Sequence, residues 1–462
     1  MRPPVQISSP VFLKFAKELY CLRYALPCIV IWTVYLVAFW PGLMSPDSIA
    51  QWDQVLQTSF SNNYPAFHTL TNWLITRIWL SPAAIATTQI ICLSSVFSLT
   101  IHELGLWGIG TRLRALITAV FCLSPVNGMM VISLWKDVPY TCAMLGLFII
   151  VLRIVRTEGR WLRTAPGMVT LWLALLLVSL FRHNGLPLVG VFLVITLLVW
   201  RSVCFKQLIR VSVNWMLVFI IITGPVYRLI GVAPMAKFFA RQNVMHQIGA
   251  MISHGVIGSR SDLNYLALIE PIEDWTKYYN CYSLNVLIYN EHVQHQFIES
   301  HPDQLVDIWK RSILRHPDVL LEHQKCVTSM LWQISEPVSK EGRLYTTELK
   351  IVENDFNLQT QSLWPRVHDI IYDVVNLSHR PNLIWFVWRP AFYLYGLLLC
   401  VGLAAIRTKN IKVLQVALPA VLNSIVWLAV ITTQDFRFQY PVYVMALIAP
   451  ALIFVRQPPS QT

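Results

Sequence analysis

Between residues 165 and 200, APGMVTLWLALLLVSLFRHNGLPLVGVFLVITLLVW carries formal charge at one position only, Arg182. A water-soluble fold would find no polar face in such a stretch, whereas bilayer hydrocarbon requires ~20 mainly apolar residues per crossing. The break RHNG, with Gly185 and Pro187 behind three polar side chains, reads as a tight turn between two crossings. Similar runs recur along the 462 residues, of which only 13% are charged, against about 25% in an average soluble protein. The chain is therefore read as an all-α polytopic membrane protein. Its net charge of +12 does not indicate nucleic acid, because the basic residues cluster in short segments between apolar runs.

About ten transmembrane helices fit the pattern: 22–41, 83–105, 113–132, 138–155, 166–181, 185–201, 208–230, 383–406, 411–433 and 439–456. The segment AFHTLTNWLITRIWL (66–80) is short and contains His68, Asn72 and Arg77, so it reads as a helix lying in the interface within a first outer loop, 42–82. Starting from a cytoplasmic N-terminus, this threading places Arg2, Lys14, Lys17, Arg23, Arg112, Arg114, Arg153, Arg156, Arg160, Arg163, Arg201, Lys206, Arg210, Arg407, Lys409, Lys412 and Arg456 inside. The short outer loops keep Arg77, Lys136, Arg182 and Arg437, and one extra crossing would invert half of that asymmetry. The first span reads as an uncleaved anchor. The chain divides into a module of seven spans (1–230), an extracytoplasmic and mainly helical insert (231–382), and three C-terminal spans (383–462). These features suggest a bacterial inner membrane with both termini cytoplasmic and 231–382 periplasmic.

In the insert, HPDQLVDIWKRSILR and HPDVLLEHQKCVTSM read as successive amphipathic helices, each with Pro at the first position and Asp303 or Asp318 complementing the dipole. Cys281 and Cys326 lie in this polar region, where an oxidising compartment would allow a disulfide that spacing alone does not select. The histidines of EHVQHQFIESH, His292, His295 and His301, read as solvated, with zinc as the less favoured alternative.

The spans hold almost no ionisable residue at mid-depth, unlike those of ion-coupled transporters. Polar residues gather instead where spans emerge outside, in SPDSIAQWDQ, LWKDVPY, FRHNG and TTQDFRFQYP, and these loops are expected to converge on one pocket. In the first loop Ser45 is an expected N-cap and Pro46 the first helical residue. Asp47, Gln51 and Gln54 then share one helix face, while Asp53 falls off it. Asp47 is the favoured carboxylate.

These segments resemble the GT-C class of integral-membrane glycosyltransferases, which includes the protein O-mannosyltransferases and aminoarabinose transferases. MSPDSIAQWDQ is similar to their acidic first outer loop, NNYPAFHTLTNWL to the interfacial helix that follows, WKDVPY to a second acidic loop, and RFQYP to an Arg-aromatic-Pro pattern before a late span. The likeness covers about residues 20 to 200 in layout, plus the tail. Tyr64 stands where relatives often have His or Lys, and the second loop has Lys-Asp rather than two acids. The resemblance implies an enzyme of cell-envelope glycan or glycolipid biosynthesis that moves a sugar from a polyprenyl-phosphate carrier to a glycan, lipid or protein hydroxyl, with inversion. Asp47 would be the general base and Asp137 the second catalytic acid. Arg182, Lys136, Arg437, His183, Asn184, Asp435 and Tyr64 would bind the phosphate and substrates, Arg182 foremost because a guanidinium grips two phosphate oxygens. A divalent cation (Mg or Mn) on Asp47 and Asp137 is the possible cofactor. An O-antigen ligase or polymerase acting through Arg182 and His183, a lipid or glycan flippase without chemistry, and a structural scaffold remain the alternatives.

Overall fold

Helix starts are marked by hydroxyl caps joined to proline in the first turn. Ser45, Ser81, Ser124 and Thr164 each accept a hydrogen bond from the backbone N–H two or three residues on, with Pro46, Pro82, Pro125 and Pro166 following. The computed structural model describes residues 22–337 and 342–455, and among these the regular structure is helical, with isolated backbone bridges and no strand. Arg2, Lys14, Lys17 and Arg456 of the expected charge pattern lie outside the described residues.

Six helical segments are long and apolar enough to cross a membrane: Pro82–Leu106, Asp137–Arg156, Gly185–Leu229, Pro390–Thr408, Ile411–Val430 and Phe436–Phe454. Thr111–Leu123 and Pro125–Ile132, bent by 57° where proline cannot continue the ladder, make a seventh if counted as one span. The expected ten are thus not reproduced as ten long helices. The runs at 22–41 and 166–181 give shorter apolar helices, Ala25–Ala38 and Ala165–Phe181, of 14 and 17 residues. The runs at 185–201 and 208–230 join in one helical segment that is interrupted by non-helical backbone at Cys204.

Contacts on either side of Cys204 reveal the path. Trp200 packs against Gly159, just before Ala165–Phe181 begins, and its indole donates to Gln415. Trp215, fifteen residues on by number, donates to Ser179 near the other end of that same helix. The chain therefore doubles back at Cys204, and the RHNG turn between Phe181 and Gly185 sits level with the returning strand of helix. The helix Ala66–Thr76 has only 11 residues, too few to span hydrocarbon, and buries His68, Thr69 and Asn72.

Two apolar cores organise the molecule. The larger joins the long helices and reaches into the inserted segment through Val327, Met330, Leu344, Ile351, Ile371 and Val375. The smaller, between Phe238 and Val319, belongs to the insert alone. The two HPD motifs open helices Pro302–Arg315 and Pro317–Val327, each with proline and an aspartate in the first turn. Cys281 and Cys326 are disulfide-bonded, with Cα atoms 5.8 Å apart. The three histidines considered for zinc have separate partners: His292 pairs with Asp274, His295 with the Ile288 carbonyl and His301 with Ser300.

Candidate active site

Four loops meet at one end of the helix bundle. The chain leaves Ala25–Ala38 through Gly42, whose φ of +121° favours glycine and where a Cβ would come within 3.0 Å of the Ile132 carbonyl. That close approach lets Leu43 donate to Ile132 O (3.0 Å) and accept from Leu134 N (2.9 Å), tying the first loop to the second. Ser45 Oγ accepts from Trp135 Nε1 at 2.8 Å, and Ser48 Oγ donates to Leu134 O at 2.9 Å. Asp47, in the first turn of Pro46–Gln57, is thereby held beside Lys136. Gln51 contributes structure: it is buried against His68 and Thr69 of the short helix. Asp53 turns away and pairs with Gln57, as its place off the Asp47 face predicts.

Asp47 Oδ2 lies 3.4 Å from Lys136 Nζ and 3.0 Å from Arg437 Nη1. The Asp47 side chain is 29% exposed, and those of Lys136 and Arg437 14% each. Arg437 Nε sits 2.6 Å from Asp435 Oδ2, and Asp435 Oδ1 caps the short helix Phe436–Gln439 by accepting from Arg437 N. The Lys136 ammonium stands over the Tyr64 ring at 4.9 Å. Burial alone would raise the Asp47 carboxyl, but Lys136 and Arg437 outweigh it and hold it well below the usual carboxylate range. Burial also lowers Lys136 and pushes Asp435 up to about 6, Arg437 only partly opposing the second shift. The Tyr64 phenol is raised by burial and by the Asp47 charge beside it.

Asp137 and Arg182 form a second, enclosed ion pair, with side chains 0% and 5% exposed. Aromatic rings box the guanidinium: Trp427 at 4.7 Å, Phe438 at 5.1 Å and Tyr140 at 5.6 Å, with Trp427 and Phe438 stacked on each other at 4.1 Å. This reverses the order expected from sequence. Arg182, foremost there as a phosphate ligand, is committed to Asp137 and shielded by rings, while the side chains of Lys136 and Arg437 are each 14% exposed beside a part-exposed Asp47. Asp137, expected as a second catalytic acid, is sealed from solvent. His183 is exposed, with Nε2 3.2 Å from Asn62 Oδ1, and Asn184 Nδ2 is buried without a partner. A cavity of about 280 Å³ opens beside them, lined among others by Asn62, Pro65, His183, Leu186, Phe219 and Tyr227.

Each of the three carboxylates thus faces a cation rather than another acid. Among the described residues no group of three or more His, Cys, Asp and Glu side chains is placed to hold a metal ion, and the two carboxylates expected to share a divalent cation, Asp47 and Asp137, are engaged by Lys136 and Arg437 and by Arg182.

Sequence reasoning missed what the insert brings. Tyr345 is joined to this loop by two backbone bonds, from Tyr345 N to Gln434 O (3.1 Å) and from Phe436 N to Tyr345 O (2.8 Å). Glu348 follows, within electrostatic reach of Arg437 and Asp47. Nothing periodic marks GRLYTTELK, so no local signal could have pointed to it. No protein-family model, curated protein or solved structure matches the chain, and the resemblance to GT-C enzymes rests on the motifs MSPDSIAQWDQ, NNYPAFHTLTNWL, WKDVPY and RFQYP themselves.

Proposed function

We propose that the chain is a membrane glycosyltransferase moving a sugar from a polyprenyl-phosphate carrier to an acceptor hydroxyl at the outer surface, in envelope glycan or glycolipid assembly. One observation carries this reading: a part-exposed carboxylate, Asp47, between Lys136 at 3.4 Å and Arg437 at 3.0 Å. Two cations converging on one part-exposed carboxylate suit a phosphate, which can take both from it. The cavity beside His183, largely apolar in its lining, suits the first isoprenoid units of the carrier.

Without donor, Asp47 is a poor base, because the same two cations stabilise its charge. As Lys136 and Arg437 turn to the phosphate, Asp47 rises toward the range in which it accepts a proton. The acceptor O–H then gives its proton to Asp47, and the acceptor oxygen bonds to the sugar's anomeric carbon. The bond from that carbon to the phosphate oxygen breaks, its electron pair leaving on polyprenyl phosphate. Lys136 and Arg437 meet the charge gained there, in place of the Mg or Mn considered from sequence. Attack opposite the leaving group inverts the anomeric centre. Asp435 positions Arg437, and the Asp137–Arg182 pair braces the loop carrying Lys136. A ligase acting through Arg182 fits less well, since the rings around that guanidinium leave it little approach.

The same reading takes ten crossings, cytoplasmic termini and a periplasmic 231–382 in a bacterial inner membrane. The Cys281–Cys326 disulfide suits an oxidising compartment, and the reversal at Cys204 supports counting 185–230 as two crossings.

Mass spectrometry of envelope glycans should compare a deleted strain with strains restored by the native chain or by equally expressed Asp47→Asn. The native chain is expected to add the mass of one sugar, and the variant roughly 100-fold less or lower still. Equal restoration by both would remove Asp47 as the base.

A further inference from the structure

One segment of the insert, residues 342–352, runs between the loops of the Asp47 site like a strap. One end is fixed by the two backbone bonds between Tyr345 and Gln434–Phe436, the other by Val352 N donating to Met44 O at 3.1 Å. Leu344 and Ile351 root it in the core of the long helices. Its anchors therefore stand beside Asp435 on one side and three residues before Asp47 on the other, and between them Glu348 lies within electrostatic reach of Arg437 and Asp47. Tyr345 is 38% exposed, and its ring lies 6.4 Å from that of Trp135. The half-buried Glu348 carboxyl lies beside the Tyr345 hydroxyl. Tyr289, also from the insert, is 58% exposed and within electrostatic reach of Asp47.

We propose that Tyr345 and Glu348 of the strap, with Tyr289, form the acceptor subsite above Asp47, and that the acceptor is a carbohydrate. The proposal rests on the glycosyltransfer reading. A sugar presents C–H faces to aromatic rings and several hydroxyls to a carboxylate, and exposed tyrosines beside Glu348 offer both. A purely hydrocarbon alcohol would make no use of the Glu348 carboxyl. Glu348 accepts a hydrogen bond from one hydroxyl of the acceptor sugar and so turns its neighbour toward Asp47. Burial raises Glu348, which agrees with a carboxylate kept from bulk water.

The test uses two measurements on the full chain. Purified protein is assayed for thermal stabilisation by undecaprenyl phosphate, a probe of the donor side alone. Restored cells are assayed by mass spectrometry for sugar added to glycan, protein and lipid fractions. Glu348→Gln and Tyr345→Ala are expected to keep the native stabilisation, which also shows that they fold, and to add roughly 10- to 100-fold less sugar to glycan. Glu348→Asp should recover part of the loss. Native sugar transfer by both Glu348→Gln and Tyr345→Ala would overturn the subsite. A sugar appearing on protein or lipid with glycan unchanged would overturn the carbohydrate acceptor while leaving the transferase standing. If the native chain is not stabilised and adds sugar to no fraction, the glycosyltransfer reading falls and this proposal with it.

Discussion

Asp47 keeps 29% of its side chain exposed, whereas Asp137 is fully buried against an Arg182 that is itself 5% exposed. Removing one member of a buried pair strands the other charge in a medium of low polarity, a loss of about 3–5 kcal/mol, and the loss is smaller where one partner stays part-exposed. Asp137→Asn should therefore lower the thermal unfolding midpoint more than Asp47→Asn, and Asp47→Asn should abolish sugar transfer. Similar midpoints for the two variants would contradict this division into brace and base. Acid sensitivity is expected elsewhere, in the insert. His246 and His323, 0% and 2% exposed, stack edge to face at 4.4 Å, with Tyr279 on His323 and the Asn280 carbonyl on His246. Burial lowers His246 to about 4 and, with His246 adding to the effect, His323 to about 3. Unfolded imidazole titrates near ~6.5, so the unfolded chain binds more protons below that pH. The stabilisation is complete above ~6.5 and disappears as pH falls toward 4 and then 3. Glu270, which burial raises to about 7, has the opposite sign: its contribution is present at low pH and lost as pH rises through 7. Unfolding midpoints at pH 7 and pH 5 should therefore differ less in His323→Asn than in the native chain. An unchanged difference would show that the pair does not set the acid limit.

Gly185 begins a helix so close to the preceding one that a Cβ would collide with the Val178 carbonyl. Gly190, in the same helix, has open space around its would-be Cβ. Gly185→Ala should abolish the folded chain, whereas Gly190→Ala should be neutral or stabilising by about 0.5–1 kcal/mol. Yields of monodisperse protein in detergent would separate the two, and a well-folded Gly185→Ala would mean that the turn can open. What could be read in advance at this level was local. The RHNG turn, the Ser45–Pro46 start and the HPD helices each depend on a few neighbouring residues, and all three are found. The fate of Arg182 was not legible, because it is decided by Trp427 and Phe438, which belong to a distant part of the chain. The Glu348 strap escaped notice for the same reason, its place being set by pairing with Gln434, Phe436 and Met44. Length was misjudged where proline bends a run, as at Pro125, or where apolar residues outlast their helix, as after Ala38.

Charge orders the whole molecule along one axis. Arg153 and Arg156 grip the fully buried Glu103 at 3.0 and 2.7 Å at the end of the bundle where Gly159 meets Trp200. The Asp47 cluster, the RHNG turn and the insert occupy the other end. This polarity was legible because basic residues recur between alternate apolar runs, a pattern that survives errors in the limits of single helices. Under the proposed orientation the Arg153 end is cytoplasmic, and the doubling back at Cys204 brings position 201 inside between two outer positions. The prediction concerns three single substitutions, His183→Cys, Arg201→Cys and Ser261→Cys, at sites exposed in the structure. Of the free cysteines described, only Cys92 is exposed, and it lies within an apolar helix, so the parent chain gives a low background to a water-soluble, membrane-impermeant maleimide. Intact cells should label 183 and 261, and label 201 only after permeabilisation. Labelling of 201 from outside would show that 185–201 does not cross the membrane, and the proposed side of every later span would have to be reassigned. Labelling of 261 only after permeabilisation would put the insert on the cytoplasmic side, together with the Asp47 loop bonded to it through Val352 and Met44, and transfer at the outer surface could not then stand.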